Sequence, residues 1–207
     1  MIRALVITVS NRASAGIYED KSGPLLADLL RREAGCEVVD GPVVVPDGDA
    51  VEGALREGVA GGYDVIVTTG GTGLTPLDLT PEMTARVISR EIPGIAESIR
   101  LANREKVPTS VLSRGLAGQA GDSLIVNLPG SSGGVRDGVA VLAPILRHAI
   151  DQIRGGDHPV DQRFGEPISD PWRHRARWGD DERRGSTSWL AGDPERRSGR
   201  PPAAAAE

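Results

Sequence analysis

The sequence predicts an α/β fold in which helices cover both faces of a mostly parallel central sheet. Two apolar runs, ALVITVS at 4–10 and DVIVTT at 64–69, are continuous rather than alternating, which is typical of strands buried on both faces. Segments with helical spacing separate these runs, and this alternation indicates parallel strands joined by helices. Ligands of such sheets bind at the carboxyl ends of the strands, so we expect functional residues in the loops there.

The first half of the chain contains three strands and two helices in this prediction. After the first strand comes a polar loop, and Ser22 is expected to cap the helix that runs over 24–34. An extended segment at 37–45 follows. Asp49 is then expected to cap a second helix, which ends in glycines before the third strand.

The second half continues the same pattern. The segment 81–106 has helical character with an interruption near Pro93. Two extended pieces within 111–130 are expected to form a hairpin that adds to the sheet. A closing helix over 135–156 is expected to kink at Pro144.

The composition changes near residue 160, so we expect residues 1–156 to form one domain and residues 157–207 a polar, flexible tail. The tail is rich in Arg, Asp, Pro and Gly and has few aliphatic residues, which is too little apolar surface for a core of its own.

Charge and cysteine content exclude several classes of protein. The net charge of −5 counts against a general nucleic-acid binder, which usually carries a basic stripe. The single cysteine, Cys36, excludes a disulfide within the chain and a cysteine-rich zinc site. The N-terminus reads as a strand rather than a signal peptide, and no apolar stretch approaches the roughly 20 residues that span a bilayer. We therefore expect a cytoplasmic protein with no membrane partner.

A glycine-rich turn, TTGGTGLTPLDLTPE at 68–82, follows the third strand. Gly70, Gly71 and Gly73 leave backbone N–H groups uncovered, and such a turn can bind an anion. Thr80 is the expected cap of a helix whose positive end would face the same loop, which would suit a phosphate. The alternative is a tight strand-to-helix connection without a ligand.

A second loop of the same kind, NLPGSSGGV at 127–135, follows another apolar strand. Asn127 ends that strand, and Gly130 and Ser131 precede a helix. One such loop is ordinary, but two at strand ends of one small sheet favour a phosphorylated ligand. Ser113 and Arg114 are further candidates, as a hydroxyl and a guanidinium for a phosphate or as a pair at a strand edge.

Two carboxylates, Asp47 and Asp78, follow predicted strand ends. A carboxylate repels phosphate unless a cation lies between them, and Mg²⁺ binds one or two carboxylates together with substrate phosphates. This arrangement is typical of phosphoryl or nucleotidyl transfer. From the residues alone, Asp47 is as well explained as a turn residue.

Six motifs, in this order, resemble the molybdenum-cofactor biosynthesis family, which includes molybdopterin adenylyltransferases and the G domains of Cnx and gephyrin. They lie within residues 3–156 and read VSNRASAGIYEDKSGP, VPDGDAV, TTGGTGLTPLDLTPE, REIPGIAESIR, KVPTSVLSRGLAG and LIVNLPGSSGGVRDGV. The resemblance implies a three-layer α/β/α sandwich, the molybdopterin-binding fold, assembled as a homotrimer. It implies that Mg²⁺-ATP adenylylates the terminal phosphate of molybdopterin and that a molybdenum-insertion protein receives the product.

The resemblance also implies roles for particular residues. Asp47 and Asp78 would be catalytic and would hold Mg²⁺ through phosphates. The remaining positions would bind substrate or phosphate: Ser10, Asp20, Ser22, Gly70, Gly71, Thr72, Gly73, Ser113, Asn127, Pro129, Gly130 and Ser131.

Two positions depart from the family pattern. Leu77 stands where many relatives carry Arg, and Asn11 stands where Asp is common. The missing cation at Leu77 keeps open a second hypothesis, a relative that binds the pterin without adenylylating it. A third hypothesis is the competence/damage-inducible family, which shares the glycine turn and acts on nucleotides.

Overall fold

The computed structural model describes residues 1–156, and within them it contains six strands, seven α-helices and one 3-10 helix. The predicted tail, 157–207, lies outside the described residues. In chain order the elements are β1 (Arg3–Val9), α1 (Asn11–Ser14), α2 (Ser22–Arg32), β2 (Val38–Val45), α3 (Asp49–Ala60), β3 (Val65–Thr69), α4 (Thr80–Ala85), β4 (Arg90–Glu91), α5 (Pro93–Leu101), the 3-10 helix (Pro108–Leu112), β5 (Ala117–Ala120), β6 (Ser123–Leu128), α6 (Ser132–Leu142) and α7 (Leu146–Ile153).

The six strands form one sheet in the order β2-β1-β3-β6-β5-β4. The first four strands in this order are parallel, β5 pairs antiparallel with β6, and β4 pairs antiparallel with β5. This confirms the predicted mostly parallel sheet and the predicted hairpin, β5–β6. Because β2, β1, β3 and β6 are parallel neighbours, the loops that follow them lie along one edge.

Alternate residues of the central strands point into two separate cores. On one face, Val6 of β1 and Val67 of β3 pack with apolar residues of α2, α5, α6 and α7. On the other face, Ile7 of β1 and Ile66 of β3 pack with residues of α3 and α4. Burial on both faces explains why these strands read as continuous apolar runs, and the predicted three-layer sandwich is confirmed.

Three predicted helix caps are wrong, those at Ser22, Asp49 and Thr80. Thr80 is the first residue of α4 rather than its cap, and its hydroxyl donates to Asp47 at 3.3 Å. Asp20, not Ser22, caps α2, because its carboxylate accepts hydrogen bonds from the backbone N–H groups of Ser22 and Gly23, each at 3.0 Å. Asp49 is the first residue of α3, and Gly48 precedes it with a φ of 98°, a conformation that glycine adopts without strain.

The segment 81–106 contains more than one interrupted helix. Between α4 and α5 the backbone joins the sheet as β4, and Ser89 and Ile92 donate hydrogen bonds to β5 carbonyls, each at 2.7 Å. Pro144 separates two helices, α6 and α7, instead of kinking one. Within residues 1–156, no helix combines the length and the apolar character that crossing a bilayer requires.

Candidate active site

The loops that follow β3 and β6 are bound to each other. The backbone N–H of Gly70 donates to the carbonyl of Leu128 at 3.0 Å, and the hydroxyl of Thr69 donates to the carbonyl of Pro129 at 2.9 Å. A Cβ on Gly130 would lie 3.2 Å from the Cα of Gly70. The two glycine loops therefore form one continuous surface rather than two separate sites.

This surface is one wall of a cavity of about 670 Å³. The other walls come from the end of α5, the segment around the 3-10 helix, and the first turns of α6. The lining residues are Gly70, Gly71, Thr72, Gly73, Leu74, Asp78, Ile99, Arg100, Asn103, Val107, Thr109, Ser110, Leu112, Ser113, Pro129, Gly130, Ser131, Gly133, Gly134 and Asp137. Nine of them were predicted from the sequence: Gly70, Gly71, Thr72, Gly73, Asp78, Ser113, Pro129, Gly130 and Ser131.

The first glycine turn requires glycine for steric reasons. Gly70 and Gly71 have φ values of 104° and 63°. A Cβ on Gly70 would lie 2.2 Å from the carbonyl oxygen of Val9. The turn therefore crosses close above the end of β1 and presents bare backbone to the cavity, which suits a phosphate.

The second glycine loop ends at the start of α6. The hydroxyl of Ser131 caps this helix by accepting from the N–H of Gly134 at 3.1 Å. The first turn of α6 carries no acidic residue. Because Gly133 and Gly134 also line the cavity, the positive end of an 11-residue helix faces it, and an anion is favoured there.

Asp78 lies on the cavity wall, half-buried, beside the first glycine turn. One of its oxygens, Oδ2, accepts from the backbone N–H of Thr75 at 2.9 Å. A Cβ on Gly73 would lie 2.8 Å from that same oxygen, so glycine lets the carboxylate approach the turn. The carboxylate is thus held next to the bare backbone that would bind phosphate.

Asp47 touches the same turn but is not part of the cavity lining. A Cβ on Gly71 would lie 2.2 Å from its Oδ2. The carboxylate accepts from the N–H groups of Gly48 at 2.8 Å and Leu79 at 3.1 Å, and from the Thr80 hydroxyl at 3.3 Å. Partial burial raises the pKa of Asp47, the three donors oppose this, and the charge of Asp78 adds to the rise in that pKa.

The predicted residues of the first loop make contacts within the protein and do not line the cavity. The Ser10 hydroxyl caps α1 by accepting from the N–H of Ala13 at 3.1 Å. Asp20 accepts from the Thr8 hydroxyl at 2.6 Å in addition to capping α2, and the Ser22 hydroxyl donates to Asp20 at 3.1 Å.

Asn127 is buried beneath the cavity wall rather than on it. Its Nδ2 donates to the hydroxyls of Thr68 at 3.0 Å and Thr84 at 2.9 Å, and its Oδ1 accepts from the N–H of Leu116 at 3.1 Å. Asn127 therefore ties the end of β6 to β3, to α4 and to the segment before β5.

Five polar residues of the cavity were not predicted: Arg100, Asn103, Thr109, Ser110 and Asp137. Among the described residues that line the cavity, Arg100 is the one Lys or Arg. One of its nitrogens donates to the carbonyls of Gly115 at 3.1 Å and Ser113 at 3.4 Å. Asn103 donates to Asp137 at 3.2 Å. Arg100 ends the motif REIPGIAESIR, which could have signalled it, whereas nothing in the sequence pairs Asn103 with Asp137.

The carboxylates suit Mg²⁺ better than a metal with many protein ligands. Among residues 1–156, no group of three or more His, Cys, Asp or Glu side chains could hold a metal ion. Mg²⁺ keeps several waters and is usually bound by one or two carboxylates plus substrate phosphates. Asp78 and Asp47, both in contact with the phosphate-suited turn, fit that pattern.

Most of the chain, including the residues that line the cavity, matches a known protein family. The model of a probable molybdopterin binding domain matches residues 5–148. The chain belongs to this family. The resemblance seen in the sequence motifs is thereby confirmed.

Curated relatives of the chain have names from molybdenum cofactor biosynthesis. The chain is 36% identical over 166 residues to a molybdopterin adenylyltransferase from Helicobacter pylori, covering 76% of this chain and 91% of the relative. It is 38% identical over 155 residues to a molybdenum cofactor biosynthesis bifunctional protein from Synechococcus elongatus, covering 75% of this chain. The chain spans about half of that second relative, 48% of its length.

Solved structures agree with these relatives. The molybdopterin biosynthesis Mog protein from Mycobacterium ulcerans is 50% identical with a TM-score of 0.70, covering 74% of this chain and 99% of that one. A CinA protein from Thermoplasma acidophilum, described as of unknown function, is 22% identical with a TM-score of 0.52, which shows a shared fold alone.

Proposed function

We propose that this protein is a molybdopterin adenylyltransferase, which transfers AMP from ATP to the terminal phosphate of molybdopterin and releases pyrophosphate. The observation that carries the proposal is that two joined phosphate-suited loops and Asp78 line one and the same cavity. A transfer between two phosphate groups needs two such subsites side by side. The relatives named molybdopterin adenylyltransferase support the choice of reaction.

The proposal assigns roles that follow from position. The bare N–H groups of the turn at 70–73 bind one phosphate chain, and Ser131 with the start of α6 binds the other anion. Arg100 supplies positive charge to the same cavity. This charge would take the place of the arginine that many relatives carry where this chain has Leu77. Because phosphoryl and nucleotidyl transfer depends mainly on positioning and charge neutralisation, these groups suffice without a nucleophilic side chain.

Asp78, with Asp47 beside the same turn, would hold Mg²⁺ together with the substrate phosphates. When bound, the ion neutralises phosphate charge and orients the reacting groups. Without it, the carboxylate of Asp78 would repel phosphate from the cavity. We therefore expect the binding of ATP to depend on Mg²⁺ more steeply than the binding of molybdopterin alone.

Several finer statements stay predictions from the family resemblance. They are the homotrimeric assembly, the cytoplasmic location and the hand-over of product to a molybdenum-insertion protein. The predicted roles of Ser10, Asp20, Ser22 and Asn127 in substrate binding are also untested, and the contacts of these side chains favour indirect roles.

The proposal is tested by incubating the protein with molybdopterin and Mg²⁺-ATP and by measuring adenylylated molybdopterin and pyrophosphate in the same sample. We expect the two products in equal amounts, because each transfer of AMP releases one pyrophosphate. Molybdopterin binding without either product would reject the transferase and favour the pterin-binding hypothesis. Nucleotide turnover that does not require the pterin would favour the third hypothesis, an enzyme acting on nucleotides.

A further inference from the structure

The segment Gly73–Asp78 carries Asp78 but is poorly fixed by packing. Leu74 and Leu77 are 64% and 69% exposed, and Thr75 and Pro76 between them are exposed as well. A loop with few buried contacts opens easily unless hydrogen bonds hold it. The position of the Asp78 carboxylate therefore depends on whatever holds the two ends of this segment.

Arg114 binds both ends. Its Nε donates to the carbonyl of Gly73 at 2.7 Å, and one terminal nitrogen donates to the carbonyl of Asp78. The other terminal nitrogen forms an ion pair with Glu82 in α4. The backbone N–H of Arg114 also donates to the carbonyl of Thr72 at 2.9 Å. One residue thus joins the glycine turn, the end of the loop and the following helix.

The planar guanidinium suits this task in a way that a lysine does not. Its donors lie in a fixed fork, so that the two carbonyls and the Glu82 carboxylate are bound in one rigid arrangement. Lysine would offer the same charge without the fork. Because each arm of the Arg114 fork has a partner within the protein, this guanidinium is used on the loop rather than on a ligand phosphate.

We propose that Arg114 is a positioning residue, which holds the Gly73–Asp78 segment closed so that the Asp78 carboxylate stays beside the glycine turn. The expected effect of Arg114 on kcat rests on the proposed transferase function. The structural part of the proposal, the fixing of the loop, stands independently of the reaction. It differs from both alternatives that the sequence left open for Arg114, a phosphate contact and a pair at a strand edge.

The test compares Arg114→Lys with Arg56→Lys as a matched control. Arg56 also binds a glutamate, Glu52, and a backbone carbonyl, that of Arg86, but it does not line or touch the cavity. Backbone hydrogen exchange is measured for the loop, together with kcat and KM for the transfer. The exchange measurement needs no substrate and reads the loop directly.

In Arg114→Lys, we expect exchange of the Thr75 and Asp78 amides to rise about tenfold while the central strands keep their protection. We expect kcat to fall by about 10- to 100-fold, as for partners that orient a metal ligand, with KM for molybdopterin little changed. Arg56→Lys should change neither quantity. Glu82→Gln keeps the two hydrogen bonds from Arg114 to the carbonyls of Gly73 and Asp78. We therefore expect it to raise amide exchange in the loop and to lower kcat, but by less than Arg114→Lys does.

Three results would overturn the proposal. They are unchanged exchange in the loop of Arg114→Lys, a faster exchange spread evenly over the fold, and a raised KM for molybdopterin at unchanged kcat. The last would mean that the guanidinium contacts the substrate. Failure of the transferase itself is recognised separately, because the unaltered protein would then make no product, and the kinetic part of the proposal would fall with it.

Discussion

Replacing Asn127 with Ala tests whether this residue acts through stability or through ligand contact. The side chain is 3% exposed and makes three hydrogen bonds, at 2.9, 3.0 and 3.1 Å. Two of its partners, Thr68 and Thr84, are fully buried. Water therefore has no easy route to replace the lost amide.

The expected magnitude follows from those three bonds. Each contributes about 0.5–1.5 kcal/mol net, and the backbone N–H of Leu116 loses its partner, so Asn127→Ala should lower the free energy of unfolding by about 3 kcal/mol. For a chain of this size, 1 kcal/mol shifts Tm by about 2–4 °C, which gives a fall of about 6–12 °C. Asn103→Ala is the matched control, because Asn103 is half-buried, lines the cavity and makes one hydrogen bond, to Asp137.

The assay is thermal unfolding followed by circular dichroism, combined with a binding titration of molybdopterin below both transitions. We expect a large Tm change and nearly unchanged affinity for Asn127→Ala. For Asn103→Ala we expect Tm to fall by at most about 4 °C and the affinity for molybdopterin to be weaker. The reasoning is refuted if Asn127→Ala leaves Tm within about 2 °C of the unaltered protein while affinity falls strongly.

Three shorter predictions follow from single positions. Gly70→Ala places a Cβ 2.2 Å from the Val9 carbonyl at a φ of 104°, so it should lower Tm and weaken anion binding together; a Tm equal to that of the unaltered protein would contradict the steric account. Burial raises the pKa of the Cys36 thiol to about 11, so alkylation by iodoacetamide in the folded protein at pH 8 should be far slower than in denaturant, as mass spectrometry would show. Arg114 lowers the pKa of Glu82, so the pair stabilises the fold above the ordinary glutamate pKa of 4.5 and loses this contribution as pH falls through the lowered pKa. Glu82→Gln should flatten the acid side of a Tm-against-pH curve, and an unchanged curve would show that the pair adds nothing.

The sequence predicts the sheet well because burial on two faces leaves a direct trace in it. Continuous apolar runs identify the central strands, and the glycines that follow them mark the carboxyl edge. The identity of the capping residue is less visible. Asp20, Ser22, Asp49 and Gly48 all satisfy cap preferences, and only the path of the backbone decides among them.

The cavity was predictable where it is made of consecutive residues and not where distant helices meet. The two glycine loops follow strands directly and Asp78 lies in the same loop as the first of them, so chain order places them together. Arg100, Asn103 and Asp137 reach the cavity only because α5 packs beside α6, a contact between helices that no local pattern encodes. The hydrogen bonds from Arg114 to the carbonyls of Gly73 and Asp78 join two loops that are far apart in the chain, so they leave no local pattern either.

The most direct test of the central claim is one product assay on three proteins: the unaltered chain, Asp78→Asn and Asp49→Asn. Asp49 is a matched control, since its side chain is 97% exposed near Asp47 and does not line the cavity. With molybdopterin and Mg²⁺-ATP, we expect adenylylated molybdopterin from the unaltered chain and from Asp49→Asn, and almost none from folded Asp78→Asn. Product formation by Asp78→Asn at the rate of the unaltered chain would contradict the account.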